Sequence, residues 1–498
     1  MKPDRLIPCP FFIGGDWVRP KIAATPVYNP STGEVISECP AGGADEVNVA
    51  VEAAAAAFPA WSETPAIERA RLFFRFRHLV EENFDRFCSS ITREHGKTLV
   101  EARGSLYRGI ENIEYACGVP ALLFGDSLEN IARGVDCETY LQPIGVCVGI
   151  TPFNFPAMVP LWMFPLAVAC GNTFVLKPSE KVPLTALLLM ELLEKAGLPK
   201  GVVNVVHGGR DCVDALLAHP KVRAVSFVGS SPVARHIYET GTRNGKRVQA
   251  NGGAKNFVVV MPDADAPRTV EALATAAFGC AGERCMAGST AITVGEAGDV
   301  FVPQLVDAAR SIKVGRTDSA MSQPDMGPLI TGFHRDRIAQ LVETGANEGA
   351  TIACDGRGIS VAGAPNGFYL GATVVDNVRA SMTIAREEIF GPVLNVMRVD
   401  DLEQAVEIAN KSAYGNGASI FTKSGAAARE FKHRVKAGMV GINIGVPATM
   451  AMFPFTGWDA SFYGDLHIQG REAAQFYTQQ KVVTSRWFGA DTGDVWRK

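Results

Sequence analysis

The chain has no excess of either charge: 48 lysines and arginines stand against 52 aspartates and glutamates, a formal net charge of −4 over 498 residues. With acids and bases interspersed, no basic surface for nucleic acid or anionic lipid is implied, and small molecules are the expected partners. Long apolar runs are missing too. The most apolar window, Ala157 to Cys170, is short and broken by Pro160 and Pro165, and the start, Met1 to Pro8, has no signal-type apolar core. A soluble, uncleaved cytoplasmic protein without membrane contact is the expectation. The eleven cysteines include no CxxC pair and no Cys/His cluster at metal-ligand spacing, so neither a disulfide framework nor a metal site is indicated. The eight histidines include no HExxH. No G-x-G-x-x-G follows a predicted strand and no Walker loop occurs, so the usual dinucleotide fingerprint is absent.

The length is too great for one ordinary core and suggests two or three domains. Ala44 to Gly118 reads as several amphipathic helices, one of them Val100 to Gly118. Beyond Glu138, β-rich runs (Gly145 to Thr151, Thr173 to Lys177, Val202 to Val206, Ala224 to Gly229, Phe257 to Val260) alternate with helical stretches (Val159 to Cys170, Pro183 to Ala196, Asp211 to Ala218, Pro232 to Asn244). Such alternation predicts an α/β fold with a parallel sheet covered on both faces. A second region of this kind runs from about Pro262 to Val446, and Gln475 to Thr484 reads as an extended arm.

Chemistry concentrates in Phe278-Gly279-Cys280-Ala281-Gly282-Glu283-Arg284-Cys285-Met286-Ala287-Gly288. Cys285 lies among small residues that admit a substrate, beside a guanidinium that would favour the thiolate. Phe227-Val228-Gly229-Ser230-Ser231-Pro232 is a strand ending at a helix start, which suits either a pyrophosphate or an ordinary N-capped turn. Lys177 and Glu180, three apart at a strand end, suit either ribose hydroxyls or a surface ion pair.

In combination these segments, with Asn154-Phe155-Pro156, Asn251-Gly252-Gly253-Ala254-Lys255-Asn256 and Glu387-Glu388-Ile389-Phe390-Gly391-Pro392, resemble the aldehyde dehydrogenase superfamily. The resemblance runs from Asn29-Pro30-Ser31-Thr32-Gly33-Glu34 to Gln475-Phe476-Tyr477-Thr478. It implies two parallel-sheet α/β domains plus a β oligomerisation arm, divided as residues 1–125 and 144–252 for NAD, 253–446 for catalysis, and 126–143 with 470–490 for the arm. It implies a homodimer or homotetramer. It assigns NAD to Thr151, Phe153, Lys177, Glu180, Lys181, Ser230, Gly252 and Glu388, the nucleophile to Cys285, and the oxyanion hole to Asn154 with the Cys285 N–H.

Hydrolytic members carry a glutamate, as base for deacylating water, where this chain has Asn251. An amide cannot take that proton, so the thioester would await another acceptor. This departure is shared with the methylmalonate-semialdehyde dehydrogenases, whose acceptor is coenzyme A. That branch is resembled further in Val148 to Pro156, Pro160 to Pro165, Glu283 to Ala287 and Phe455 to Trp458, and departed from at Asp459 and Leu466 to Gln469. It implies that Arg108 and Arg284 hold a substrate carboxylate, although Arg108 could instead pair with Glu111 or Glu114 on its own helix. The implied products are propionyl-CoA from methylmalonate semialdehyde and acetyl-CoA from malonate semialdehyde, each with loss of carbon dioxide. The alternatives are a hydrolytic aldehyde dehydrogenase and, more distantly, a non-catalytic binding or structural protein on this fold.

Overall fold

The computed structural model describes residues 6–318 and 323–487. Residues 488–490 of the expected arm therefore lie outside the described residues. Five parallel strands form the middle of an eight-stranded sheet, in the spatial order Val203–Val205, Thr173–Lys177, Val146–Ile150, Val222–Val228, Arg247–Asn251. Apart from Arg223 and Arg247 at the starts of two strands, their side chains are buried on both faces, as apolar runs under helices require. The winding reverses between Val146–Ile150 and Val222–Val228, and at such a reversal a crevice opens beyond the carboxyl ends of the strands. The register aligns those ends: Ile150 lies opposite Lys177 and Phe227, and Val228 opposite Asn251. Thr151, Lys177, Ser230 and Gly252 are thereby delivered to one rim.

The helices between these strands fall within one residue of the expected bounds: Met158–Ala169, Leu184–Lys195, Arg210–Ala218 and Ser231–Arg243. Ala44 to Gly118 forms four long helices, Ala44–Glu63, Ala66–Glu82, Phe84–His95 and Leu99–Cys117. Glu94, fully buried, accepts from the N–H groups of Leu184 and Thr185 at the start of another helix, where unpaired donors and the helix dipole favour a carboxylate.

The second sheet has seven strands, ordered Thr351–Cys354, Thr373–Asp376, Val393–Val399, Thr290–Val294, Phe257–Val260, Gly417–Phe421, Met439–Ile442. Phe257–Val260 belongs here, parallel to Thr290–Val294 and Gly417–Phe421, and not to the first alternation as its sequence position suggested. The chain passes from Asn251 to Phe257 without an intervening helix, so no break in pattern marks the crossing.

A third sheet pairs Thr478–Arg486 antiparallel with Val135–Pro143, which pairs with Ser127–Ala132. The extended run begins at Thr478 and not at Gln475: Gly470–Phe476 is helical and buries Ala473, Ala474 and Phe476, so core packing overrides the β-prone end of that segment. Val482, Leu128 and Ile131 on this sheet are exposed. Among the described residues no helix is long and apolar enough to cross a membrane.

Candidate active site

The helix Ala266–Phe278 ends in a turn where Cys280, Ala281 and Gly282 have φ of 53°, 50° and 72°. Two of these are not glycine, and left-handed backbone costs such residues roughly 1–2 kcal/mol each. Tertiary contacts hold the strain. The Cys280 N–H donates to the Glu101 carboxylate, and a Cβ at Gly282 would stand 2.0 Å from the Gly391 carbonyl oxygen, so no side chain fits there.

Cys285 follows, partly exposed to a pocket of about 590 Å³. Its carbonyl accepts from the amide groups of Asn256 (2.8 Å) and Asn416 (3.0 Å), residues that immediately precede two neighbouring strands of the second sheet. The nucleophile thus sits at the leading edge of the second sheet. Burial, then the charge of Glu388, pushes its thiol up to about 12, while its own N–H, that of Met286 and the Lys97 ammonium work the other way. The adjacent guanidinium is engaged elsewhere. Arg284 donates to the Cys280 sulfur (3.2 Å) and the Thr275 carbonyl (3.3 Å) and lies 3.9 Å from Glu101, because the left-handed turn brings Cys280 back over it.

Asn154 is buried, and its side-chain Nδ2 donates to the Glu283 carbonyl at 3.0 Å. Lys97 donates to the Asn154 carbonyl, approaches His95 Nε2 at 3.5 Å and lies 4.2 Å above the Phe155 ring. The fully buried Glu283 carboxyl lies 3.6 Å from His95 and 3.7 Å from His334 and accepts from the Ile330 N–H. Burial raises it to about 8, and burial lowers His334 to about 4. This is a neutral polar group around one ammonium, packed behind Asn154 and Cys285. Lys97, Glu283, Asn256 and Asn416 carry no expectation from sequence; only Asn256 and Glu283 stood inside segments already singled out.

On the crevice rim, Lys177 Nζ is 3.3 Å from the Glu180 carboxylate, and the Thr151 N–H donates to the Lys177 carbonyl at 3.1 Å. Burial works against the Glu180 charge, yet Lys177, the local N–H and Lys181 hold its carboxyl below the usual range. Lys181 lies 5.0 Å above the Phe153 ring. Ser230 caps the helix Ser231–Arg243 by position, with no side-chain capping bond. Ser231 carries the local connections instead, accepting from the Gly253 N–H (2.9 Å) and donating to the Ala460 carbonyl (2.5 Å).

Gly252 and Gly253 permit close approach. A Cβ on the first would meet Ala460 O at 2.6 Å, and on the second Glu388 Oε2 at 2.6 Å. Glu388 accepts from the Ala254 N–H at 2.9 Å, and burial raises its carboxyl to about 7. Both polar atoms of the Asn251 side chain are buried without a hydrogen-bond partner among the described residues. An unpaired buried amide is costly, which suits a group that meets a ligand or water.

Arg108, Arg284 and Cys285 line the same pocket, together with Phe155, Trp162 and Phe455. Arg108 also pairs with Glu111 on its own helix (2.9 Å) and contacts the Met450 sulfur. The rim residues expected for NAD gather on the first sheet, and the pocket residues expected for substrate gather between that sheet's helices and the thiol turn.

A family model described as "Aldehyde dehydrogenase family" matches residues 17–483. The chain is 50% identical over 476 residues to malonate-semialdehyde dehydrogenase of Pseudomonas aeruginosa, covering 95% of each. It is 49% identical to malonate-semialdehyde dehydrogenase 2 of Geobacillus kaustophilus, covering 96% of this chain and 98% of the relative. Among solved structures, methylmalonate-semialdehyde dehydrogenase of Oceanimonas doudoroffii superposes with a TM-score of 0.95 at 48% identity, covering 97% of this chain and 98% of the other. A Sinorhizobium meliloti protein provisionally designated methylmalonate-semialdehyde dehydrogenase, solved with NAD, gives 0.96 at 42% identity, covering 98% and 100%.

Proposed function

Since this chain belongs to the aldehyde dehydrogenase family, we propose that it oxidises malonate semialdehyde, methylmalonate semialdehyde or both with NAD, through a thioester on Cys285, and passes the decarboxylated acyl group to coenzyme A. The observation that carries this reading is one pocket lined by the thiol and two guanidinium groups, Arg108 and Arg284. A guanidinium fork suits a carboxylate, and relatives about half identical to this chain bear names of acid semialdehyde enzymes.

The Cys285 sulfur, once deprotonated, attacks the aldehyde carbon. The resulting alkoxide is met by the Asn154 amide and the Cys285 N–H, donors that each typically contribute about 10²–10³ in rate. Lys177 and Glu180 on the crevice rim would hold the adenosine ribose of NAD, Ser230 its pyrophosphate and Glu388 its nicotinamide ribose, and the bound cofactor would supply the hydride acceptor. Collapse leaves an acyl group on sulfur, and a carboxylate one carbon from that carbonyl is set to depart as carbon dioxide. Asn251 has no basic atom, so deacylation falls to a thiol, which is partly ionised without help.

The reading includes a division into 1–125 with 144–252 for NAD, 253–446 for catalysis and 126–143 with 470–490 for assembly, a homodimer or homotetramer joined through the exposed third sheet, and a cytoplasmic setting. The test is NADH formation from both semialdehydes with and without coenzyme A. A single-turnover burst without coenzyme A and sustained turnover only with it are expected. Full steady-state turnover without coenzyme A, releasing free acid, would overturn the thiolysis assignment.

A further inference from the structure

Apart from the site above, three soft ligands converge in the interior. Cys9 precedes the strand Phe11–Ile13, which lies next to Val203–Val205 in the first sheet, Cys39 lies on the strand Glu34–Pro40, and His207 follows Val203–Val205. Their exposures are 7%, 0% and 0%. The Cys9 sulfur is 3.6 Å from His207 Nε2, and the three ligand atoms all lie within 4.8 Å of one another. A parallel bridge between Ile7 and Ser37 sets the register. Cys9 and Cys39, each two residues further on, therefore share a side. Cys9 and His207 are 198 positions apart, so no sequence spacing discloses the cluster.

We propose that Cys9, Cys39 and His207 bind one divalent cation of the zinc type. Geometry supports this: with Zn–S of about 2.3 Å and Zn–N of about 2.0–2.1 Å, the S···N edge of a tetrahedron is roughly 3.6 Å. The Pro10 carbonyl oxygen, 3.0 Å from His207 Nε2, is the neighbouring candidate for a fourth donor. A carbonyl oxygen only accepts, so this contact puts the ring proton on Nε2 when no ion is bound; binding would shift it to Nδ1, which has no partner among the described residues, and turn the Nε2 lone pair to the cation. Charge selects the valence. Two thiols release two protons on binding, and two thiolates, a neutral imidazole and a divalent cation sum to zero, the balance a dry interior demands. A monovalent cation would leave a buried negative charge. Because Val203–Val205 borders Thr173–Lys177, the ion would tie the leading segment and the strand Glu34–Pro40 to the sheet beside Lys177.

The experiment uses the full, reduced chain in a Cys285→Ala background, so that the pocket thiol contributes no signal, stripped with a chelator and titrated with cobalt(II). Binding of about one cobalt per chain is expected, with thiolate charge-transfer absorption and the strong visible bands of tetrahedral cobalt, all displaced by zinc. Cys39→Ala and His207→Gln should each weaken binding by at least about tenfold, with NAD binding and circular dichroism reporting that the variants are folded. Zinc should also raise the Tm of the stripped parent. Absence of the charge-transfer band in the reduced parent, bands of equal strength in the folded variants, or the mass of a Cys9–Cys39 disulfide in the protein as purified would each overturn the assignment.

Discussion

The side-chain amide of Asn154 donates to the backbone carbonyl of Glu283, two residues ahead of Cys285. The donor expected to face the oxyanion is thus tethered to the loop that carries the nucleophile. Asn154→Ala should lower kcat for NADH formation by about 10²–10³ while leaving NAD affinity within about twofold. Stopped-flow absorbance and a cofactor titration check this; a parent-like kcat would remove Asn154 from the oxyanion role.

Glu388 acts on the nucleophile through charge. Its carboxylate is the second cause, after burial, of the raised Cys285 thiol. Glu388→Gln should therefore speed alkylation of Cys285 by iodoacetamide several-fold at a fixed pH between about 7, above which Glu388 is ionised, and about 12, since more thiolate is present. Peptide mapping of the alkylated protein separates Cys285 from Cys137 and Cys354, the other partly exposed thiols among the described residues. An unchanged rate would mean that burial alone sets it.

Glu283 gives a pH dependence of stability with a definite sign. Its carboxyl ionises near 4.5 when exposed and at about 8 in the fold, so between those values the unfolded chain binds fewer protons than the native one. Stability from this group is present at pH 4.5 and below, and is lost as pH rises toward 8. Glu283→Gln should flatten that part of the Tm–pH curve relative to the parent. Glu94 and Glu388, also raised by burial to about 7, keep a slope of the same sign in both proteins. Parallel curves for parent and variant would refute the reading.

Cofactor choice rests on Glu180, a carboxyl held ionised mainly by Lys177. A preference for NAD over NADP is expected, since the carboxylate accepts from a ribose hydroxyl and repels a phosphate. Glu180→Gln should narrow the ratio of kcat/KM for the two cofactors by about tenfold. Lys177, 3.3 Å away, limits the parent's preference. Equal kcat/KM in the parent would contradict this.

Much of the architecture was legible because its signals are local. Buried parallel strands read as short apolar runs, and the residues around Cys285, Asn154 and Glu388 form contiguous motifs. What escaped comes from contacts between distant segments. Lys97, on a loop between helices, reaches the Asn154 carbonyl, and Asn416 reaches back to Cys285 across 131 positions; neither has a local pattern that announces it. The environment of Arg284 escaped for another reason. Adjacency to Cys285 suggested a partner for the thiol, but three left-handed residues ahead of it redirect the guanidinium to Cys280. The assignment of Phe257–Val260 to the second sheet is likewise a matter of which edge a strand meets, which alternation alone does not encode.

The paired amides of Asn256 and Asn416 on the Cys285 carbonyl make the position of the sulfur a property of the second sheet, whereas the rim at Thr151, Lys177 and Ser230 travels with the first. The two reacting partners are mounted on separate frames, and the chain joins those frames through Gly252 to Asn256. Lys255, buried and bonded to the carbonyls of Ile384 and Glu387, anchors that joint on one side only. Any tilt between the frames would therefore load the bonds that span them, Gly253 N–H to Ser231 and Asn154 to the Glu283 carbonyl, before it could change the gap between sulfur and cofactor.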